Sequence, residues 1–157
     1  MVVNLTPVDE ADAEELVALR IAAMRESLER IGRFSPDRAR TRFLDSFEPK
    51  YTRHIIGEGQ RVGFVMIRPN EEGLYLDHLY IHPNFQGRGY GRQVMTIILS
   101  EADKENLPIK VGALKESGSN RFYLSHGFEL VEQGEWDNYY IRPARTTIEK
   151  PVSGGCP

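Results

Sequence analysis

The stretch HPNFQGRGYGR, His82 to Arg92, sets Gly87, Gly89 and Gly91 at alternate positions with Arg88 and Arg92 among them. Glycine adds no packing and costs chain entropy, so such a run serves a backbone that turns sharply or lets something approach closely. It joins a strand-like run, LYLDHLYIHP, to a helical one, GRQVMTIILSEADKENLP. A strand-to-helix turn with bare backbone presents N–H groups at the positive end of a helix dipole, which is a seat for an anion. The two familiar phosphate loops do not fit. A dinucleotide fingerprint needs glycine where Arg92 stands, and no Gly-Lys-Ser/Thr closes a P-loop. On a regular strand Tyr75, Asp77, Leu79 and Ile81 share one face, and His78, Tyr80 and His82 the other. Asp77 is thus a carboxylate able to look toward whatever meets Leu79 and Ile81, while His78 looks away. The Cα atoms of His78 and His82 would stand roughly 13 Å apart, too far to share an ion, so no metal is expected.

The elements that must carry these groups follow from periodicity. VVNLTPV alternates as a short strand, and Asp9 with Asp12 gives acidic helix-start chemistry before a helix striped by Val17, Ile21, Met24, Leu28 and Ile31. That stripe reads as a face packed on a core. In SPDRARTRFLDSF, Ser35 is the N-cap and Pro36 the first helical residue, with Phe43, Leu44 and Phe47 apolar and Pro49 as the stop. TRHIIGE, RVGFVMIRP and LYLDHLYIHP then read as an antiparallel meander. After the glycine turn come a helix stopped by Pro108, the strand IKVGAL, the short helix SNRFYLSHGF closed by Gly127, and the hairpin-like FELVEQGEWDNYYI. The order βααβββαβαββ predicts one α/β domain with a mixed sheet over residues 1–150, and a mobile tail over 151–157.

With 157 residues, 40% of them hydrophobic and 27% charged, the chain suffices for one buried core. A formal charge of −3 speaks against a protein built to grip nucleic-acid phosphates. No apolar run reaches the ~20 residues of a membrane span, and the start MVVNLTPVDEADAEE lacks signal-peptide chemistry. Cys156, alone in SGGCP, forms no internal disulfide and reads as incidental; a cytoplasmic protein is expected.

Gln86-Gly87-Arg88-Gly89-Tyr90-Gly91 matches Q/R-x-x-G-x-G/A, and FYLSHGF follows about 30 residues later with a Tyr-x-x-x-Gly-Phe element. On these two motifs, in this order, the sequence resembles the Gcn5-related N-acetyltransferases over nearly its whole length. The resemblance implies a mixed sheet splayed in a V between its fourth and fifth strands, with acetyl-CoA lying in the split. Amides from Gly87 through Arg88, Gly89, Tyr90 and Gly91 to Arg92 would then wrap the pyrophosphate. Backbone groups of Leu79, Tyr80 and Ile81 would pair with the pantetheine arm, and the Arg88 and Arg92 side chains are either phosphate partners or solvated. Tyr123, four residues before Gly127, takes the place of the tyrosine that protonates the departing thiolate, and Asp77 is the candidate base. Where many members carry asparagine, seven residues before the tyrosine, this chain has Glu116; Asn120 is the nearest asparagine and Ser119 the small residue beside the cofactor. The activity implied is acetyl transfer to a primary amine of a small molecule, peptide or protein. A non-catalytic acetyl-CoA-binding sensor is the alternative. Glu26, Glu132, Glu135 and Asp137 favour a cationic acceptor, no nucleic-acid or membrane partner is expected, and the edge of the last strands allows a monomer or a homodimer.

Overall fold

Ser35 and Pro36 start a helix as their types dictate: the Ser35 Oγ accepts from the Arg38 amide at 3.2 Å, and proline fills the first turn, where an N–H would have no partner. The computed structural model describes residues 2–145, so the expected 151–157 tail and Cys156 lie outside the described residues. The chain runs β1 (Val3–Pro7), α1 (Ala13–Arg30), α2 (Pro36–Ser46), β2 (Thr52–Gly57), β3 (Gln60–Pro69), β4 (Leu74–Ile81), α3 (Tyr90–Lys104), β5 (Ile109–Leu114), α4 (Ser119–Ser125), β6 (Glu129–Gln133) and β7 (Asp137–Arg142). This is the order read from periodicity. The strands form one seven-stranded mixed sheet, β1-β2-β3-β4-β5-β7-β6.

Alternation along β3 gives the sheet two apolar faces. Phe64 joins Leu16, Val17, Leu19 and Phe43 on the α1–α2 side, and Val65 joins Leu76, Val94, Met95 and Ile98 on the α3 side. Every neighbouring pair is antiparallel except β4 and β5, which run parallel through Leu74–Ile109, Tyr75–Lys110 and Leu76–Val111 only. Beyond Leu76 the two strands part, and β4 keeps β3 as a neighbour on its other edge as far as Ile81. The second half of β4 therefore offers an open row of backbone donors and acceptors toward the gap.

Two sequence expectations need correction. Regular alternation along β4 fails at Asp77: Met66 pairs with His78 and the next residue, Ile67, with Leu76, so Asp77 is an extra residue in the strand. Such a bulge re-aims the side chains after it. Leu76 consequently shares the α3 side with Leu79 and Ile81, whereas His78 and Tyr80 stack among Phe43 and Phe64 on the other side. Asp77 itself pairs with Arg68, which also donates to the Ser46 carbonyl at the end of α2. Tyr75, Asp77, Leu79 and Ile81 thus do not form one regular face. The α1 stripe of Val17, Ile21, Met24, Leu28 and Ile31 also divides: Val17 is buried and Ile21 packs beside it, but Met24 and Leu28 open onto clefts.

Candidate active site

The turn between β4 and α3 needs glycine at two of its three positions. Gly87 (φ 80°) and Gly89 (φ 86°) hold left-handed backbone, which costs a side-chain-bearing residue roughly 1 kcal/mol or more. Gly91 lies inside the first turn of α3, and a methyl there would meet the Phe122 ring at an ordinary 3.6 Å. Gly89 is the N-cap, and the first helical bond runs from the Gln93 amide to its carbonyl at 3.1 Å. The amides of Tyr90, Gly91 and Arg92 precede that bond, where an α-helix supplies no acceptor of its own. Gln86 fastens the turn from below, its Nε2 donating to the Ile81 carbonyl at 2.8 Å.

A cleft of about 480 Å³ opens over this turn. Of the residues expected to bind the cofactor, Leu79, Ile81, Gln86, Gly87, Gly89, Tyr90, Gly91, Arg92 and Ser119 line it. Tyr80 and Arg88 do not. The Tyr80 side chain lies on the α1 side of the sheet, opposite Leu79 and Ile81 as alternation requires, and its hydroxyl meets Arg20 Nε at 3.4 Å and His78 Nδ1 at 3.3 Å. Arg88 lies over Phe85, 5.3 Å from the ring centre, and reaches back to the Asn84 carbonyl.

Two smaller compartments continue from the cleft. One, of about 190 Å³, has Asp77, His78 and Gly112 on its walls and shares Leu79, Ile81, Ser119 and Tyr123 with the cleft. The other, of about 250 Å³, adjoins it through Met24, Tyr80, Gly112 and Leu114. Tyr123 stands where the cleft meets the first compartment. Its ring is buried beside Phe122, Phe128 and Tyr140, with Gly127 closing α4 in left-handed conformation. Burial pushes the phenol well above the ordinary tyrosine range, aided by Tyr80 and Tyr75, so it holds its proton at neutral pH. Tyr75 is itself pushed up to about 12, mainly by burial. His78 goes the other way: burial lowers it to about 4 against the opposing pull of Asp77, so it is neutral at pH 7.

The loop after β5 carries its glutamate at a position of left-handed backbone. Glu116 adopts φ 67°, a conformation that asparagine tolerates better than glutamate. Asn120, a residue that sequence reasoning left without a role, ties the loop down. Its Nδ2 donates to the Leu114 and Ser117 carbonyls (2.9 and 3.0 Å), and its Oδ1 accepts from Tyr140 and Asn138 (2.7 and 3.0 Å). This holds Ser117 and Ser119 on the cleft wall. Of the acidic residues expected near the acceptor, Asp137 lines the compartment of about 250 Å³, whereas Glu132 and Glu135 are exposed and Glu26 pairs with Arg30 on the surface.

Residues 50–130 match the model of the acetyltransferase (GNAT) domain. Comparison with curated protein sequences gives no match. Among solved structures, the fold is similar to the PaiA N-acetyltransferase from Thermoplasma acidophilum in complex with coenzyme A, at TM-score 0.75 and 12% identity, covering 91% of this chain and 99% of that one. It is also similar to Ard1 from Thermoplasma volcanium (TM-score 0.66, 17% identity, 92% and 99% covered). The ribosomal-protein-S18-alanine N-acetyltransferase from Escherichia coli gives TM-score 0.63 at 15% identity, with 90% and 93% covered. At such identities the likeness is one of fold.

Proposed function

The chain belongs to the GNAT acetyltransferase family, and on that premise we propose that it moves an acetyl group from acetyl-CoA to a primary amine, with Tyr123 as the proton donor. The observation that carries this reading is the position of Tyr123, whose buried, protonated side chain lines both the cleft over the glycine turn and the compartment next to it. The cleft suits the donor substrate on its own chemistry. Free amides at the start of α3 suit a pyrophosphate, Arg92 adds charge, and the open edge of β4 beyond Leu76 suits the amides of a pantetheine arm.

Transfer breaks the thioester C–S bond and forms a C–N bond, while one proton leaves the nitrogen and one reaches the sulfur. Tyr123 supplies the second. Burial keeps the phenol protonated and so available as a donor, and because it also makes the phenol a weaker acid, the transfer depends on its position against the developing thiolate. Asp77 lines the neighbouring compartment and is the carboxylate proposed to take the first proton. Arg68 occupies one of its oxygens, leaving the other for that step. Leu79, Ile81 and Phe122 add apolar wall to the cleft beside Tyr123.

An acetylation screen over amino acids, polyamines, aminoglycosides and peptides, read by thiol release, tests the reading. Turnover on an amine with acetylated product supports it. Tight acetyl-CoA binding with no turnover on any class leaves the non-catalytic sensor as the better account.

A further inference from the structure

The compartment farthest from the glycine turn is lined by Arg20, Arg33, Arg38 and Arg42, with Asp137 as its one acidic residue. Charge pairing sets these four apart. On α1 and α2 Arg25, Arg30 and Arg40 each have a glutamate, whereas among the described residues Arg20, Arg38, Arg42 and, in the loop between the helices, Arg33 are in no ion pair. Three of the four are held by contacts of their own. Arg20 donates to the Ala39 carbonyl at 2.8 Å and to Tyr80; Arg33 lies 4.4 Å from the centre of the Trp136 ring; Arg38 reaches the Arg33 carbonyl at 3.5 Å. Ser35, the N-cap of α2, sits on the same wall and turns the positive end of that helix toward the space. In a chain of net charge −3, four guanidinium groups around the single carboxylate of Asp137 leave the compartment with an excess of positive charge that a bound anion would balance.

We propose that the acceptor is a small amine that carries an anionic group, a carboxylate or a phosphate, which these arginines hold while its nitrogen reaches Tyr123. The proposal rests on the acetyl-transfer reading and names its acceptor class. The sequence of compartments sets the polarity of the molecule: arginines at the outer end, Asp137 and then Asp77 along the way, and the tyrosine at the cleft. An amine with its own anionic group matches both ends. A polyamine or aminoglycoside would set its extra ammonium groups against four guanidinium groups and one carboxylate, a mismatch of like charge. The carboxylates expected to attract a cation lie elsewhere, Asp137 excepted.

The test is calorimetric and needs no turnover. The protein saturated with coenzyme A is titrated with matched pairs: phosphoethanolamine against ethanolamine, and an amino acid against its amide, with spermidine and an acidic peptide as further arms. The anionic member of a pair is expected to bind about tenfold or more tightly than its neutral partner. Arg38→Glu and Arg42→Glu should remove that preference while the coenzyme A titration is unchanged. The proposal is overturned if neutral amines or spermidine bind as well as the anionic ones, if only the peptide binds, if no anionic amine binds the coenzyme A complex, or if both variants bind as the parent does. Loss of coenzyme A binding by the parent protein is a separate result, since it strikes the cofactor cleft and with it the transfer reading on which the proposal stands. Circular dichroism confirms that each variant is folded.

Discussion

The two ends of the continuous cleft are built from different materials. At the glycine turn the ligand-facing groups are backbone amides, and the sequence must allow a conformation: left-handed φ at Gly87 and Gly89, then a helix beginning at Tyr90. At the arginine compartment the groups are side chains from α1, α2 and the loop between them, and any helix-compatible residue could stand there. A backbone site constrains sequence tightly and leaves a motif. A side-chain site is free to vary and leaves none. One fold can therefore keep its donor substrate while changing its acceptor, because the two ends are specified by different kinds of residue.

The largest effect that should separate the ends comes from Gly89→Asp. A carboxylate placed against the phosphates is expected to weaken acetyl-CoA binding by about a hundredfold or more. No atom lies within 4 Å of a Cβ built at Gly89, but its left-handed φ of 86° costs aspartate roughly 1 kcal/mol or more, so the variant should fold with reduced stability; equilibrium titration alongside circular dichroism checks both points. Equal affinity in a folded variant would mean that the turn only turns, and the contrast between the ends would lose its first member.

Tyr123→Phe sharpens the comparison at the junction. The ring that packs on Phe128 and Tyr140 stays and the proton is lost, so kcat should fall by about 10- to 1000-fold with little change in KM for acetyl-CoA. Because burial raises the phenol above its ordinary value, it stays protonated as pH rises. The parent kcat should then climb as the acceptor amine loses its proton, with no falling limb below about pH 10. Asp77→Asn is expected to cost less, with the loss in kcat if the carboxylate takes a proton and in KM if it only attracts the amine.

Smaller effects concern the loop that forms the far wall. Asn120→Ala takes one donor from each of the Leu114 and Ser117 carbonyls, which keep the Ser117 and Asn120 amides, and leaves the Tyr140 hydroxyl and the Asn138 side-chain amide without their acceptor; it should lower stability by about 1–3 kcal/mol in denaturant unfolding. Glu116→Gly relieves left-handed strain and should raise stability by about 0.5–1 kcal/mol.

The order of elements was legible because each boundary carries local chemistry: Ser35-Pro36 at a helix start, Gly127 at a helix end, alternation along β3. The glycine turn was legible for the same reason. The bulge at Asp77 was not, since LYLDHLYI alternates acceptably as a regular strand and the displaced register is set by pairing with β3. Met24 and Leu28 were hidden likewise, because an apolar stripe has the same spacing whether it meets a core or a cleft. Arg38 and Arg42 look like Arg40 in the sequence, and only tertiary contacts show that Glu14 takes Arg40 and leaves the other two facing the compartment.

The central claim is that Tyr123, at the meeting point of cleft and compartments, makes this an acetyl-transferring site. It is tested most directly by mass-spectrometric detection of acetylated amine in single-turnover reactions of the parent and Tyr123→Phe proteins, each saturated with acetyl-CoA. The account predicts rapid acetylation by the parent and slow acetylation by the variant, with equal occupancy by acetyl-CoA. Equal rates from the two proteins would contradict it.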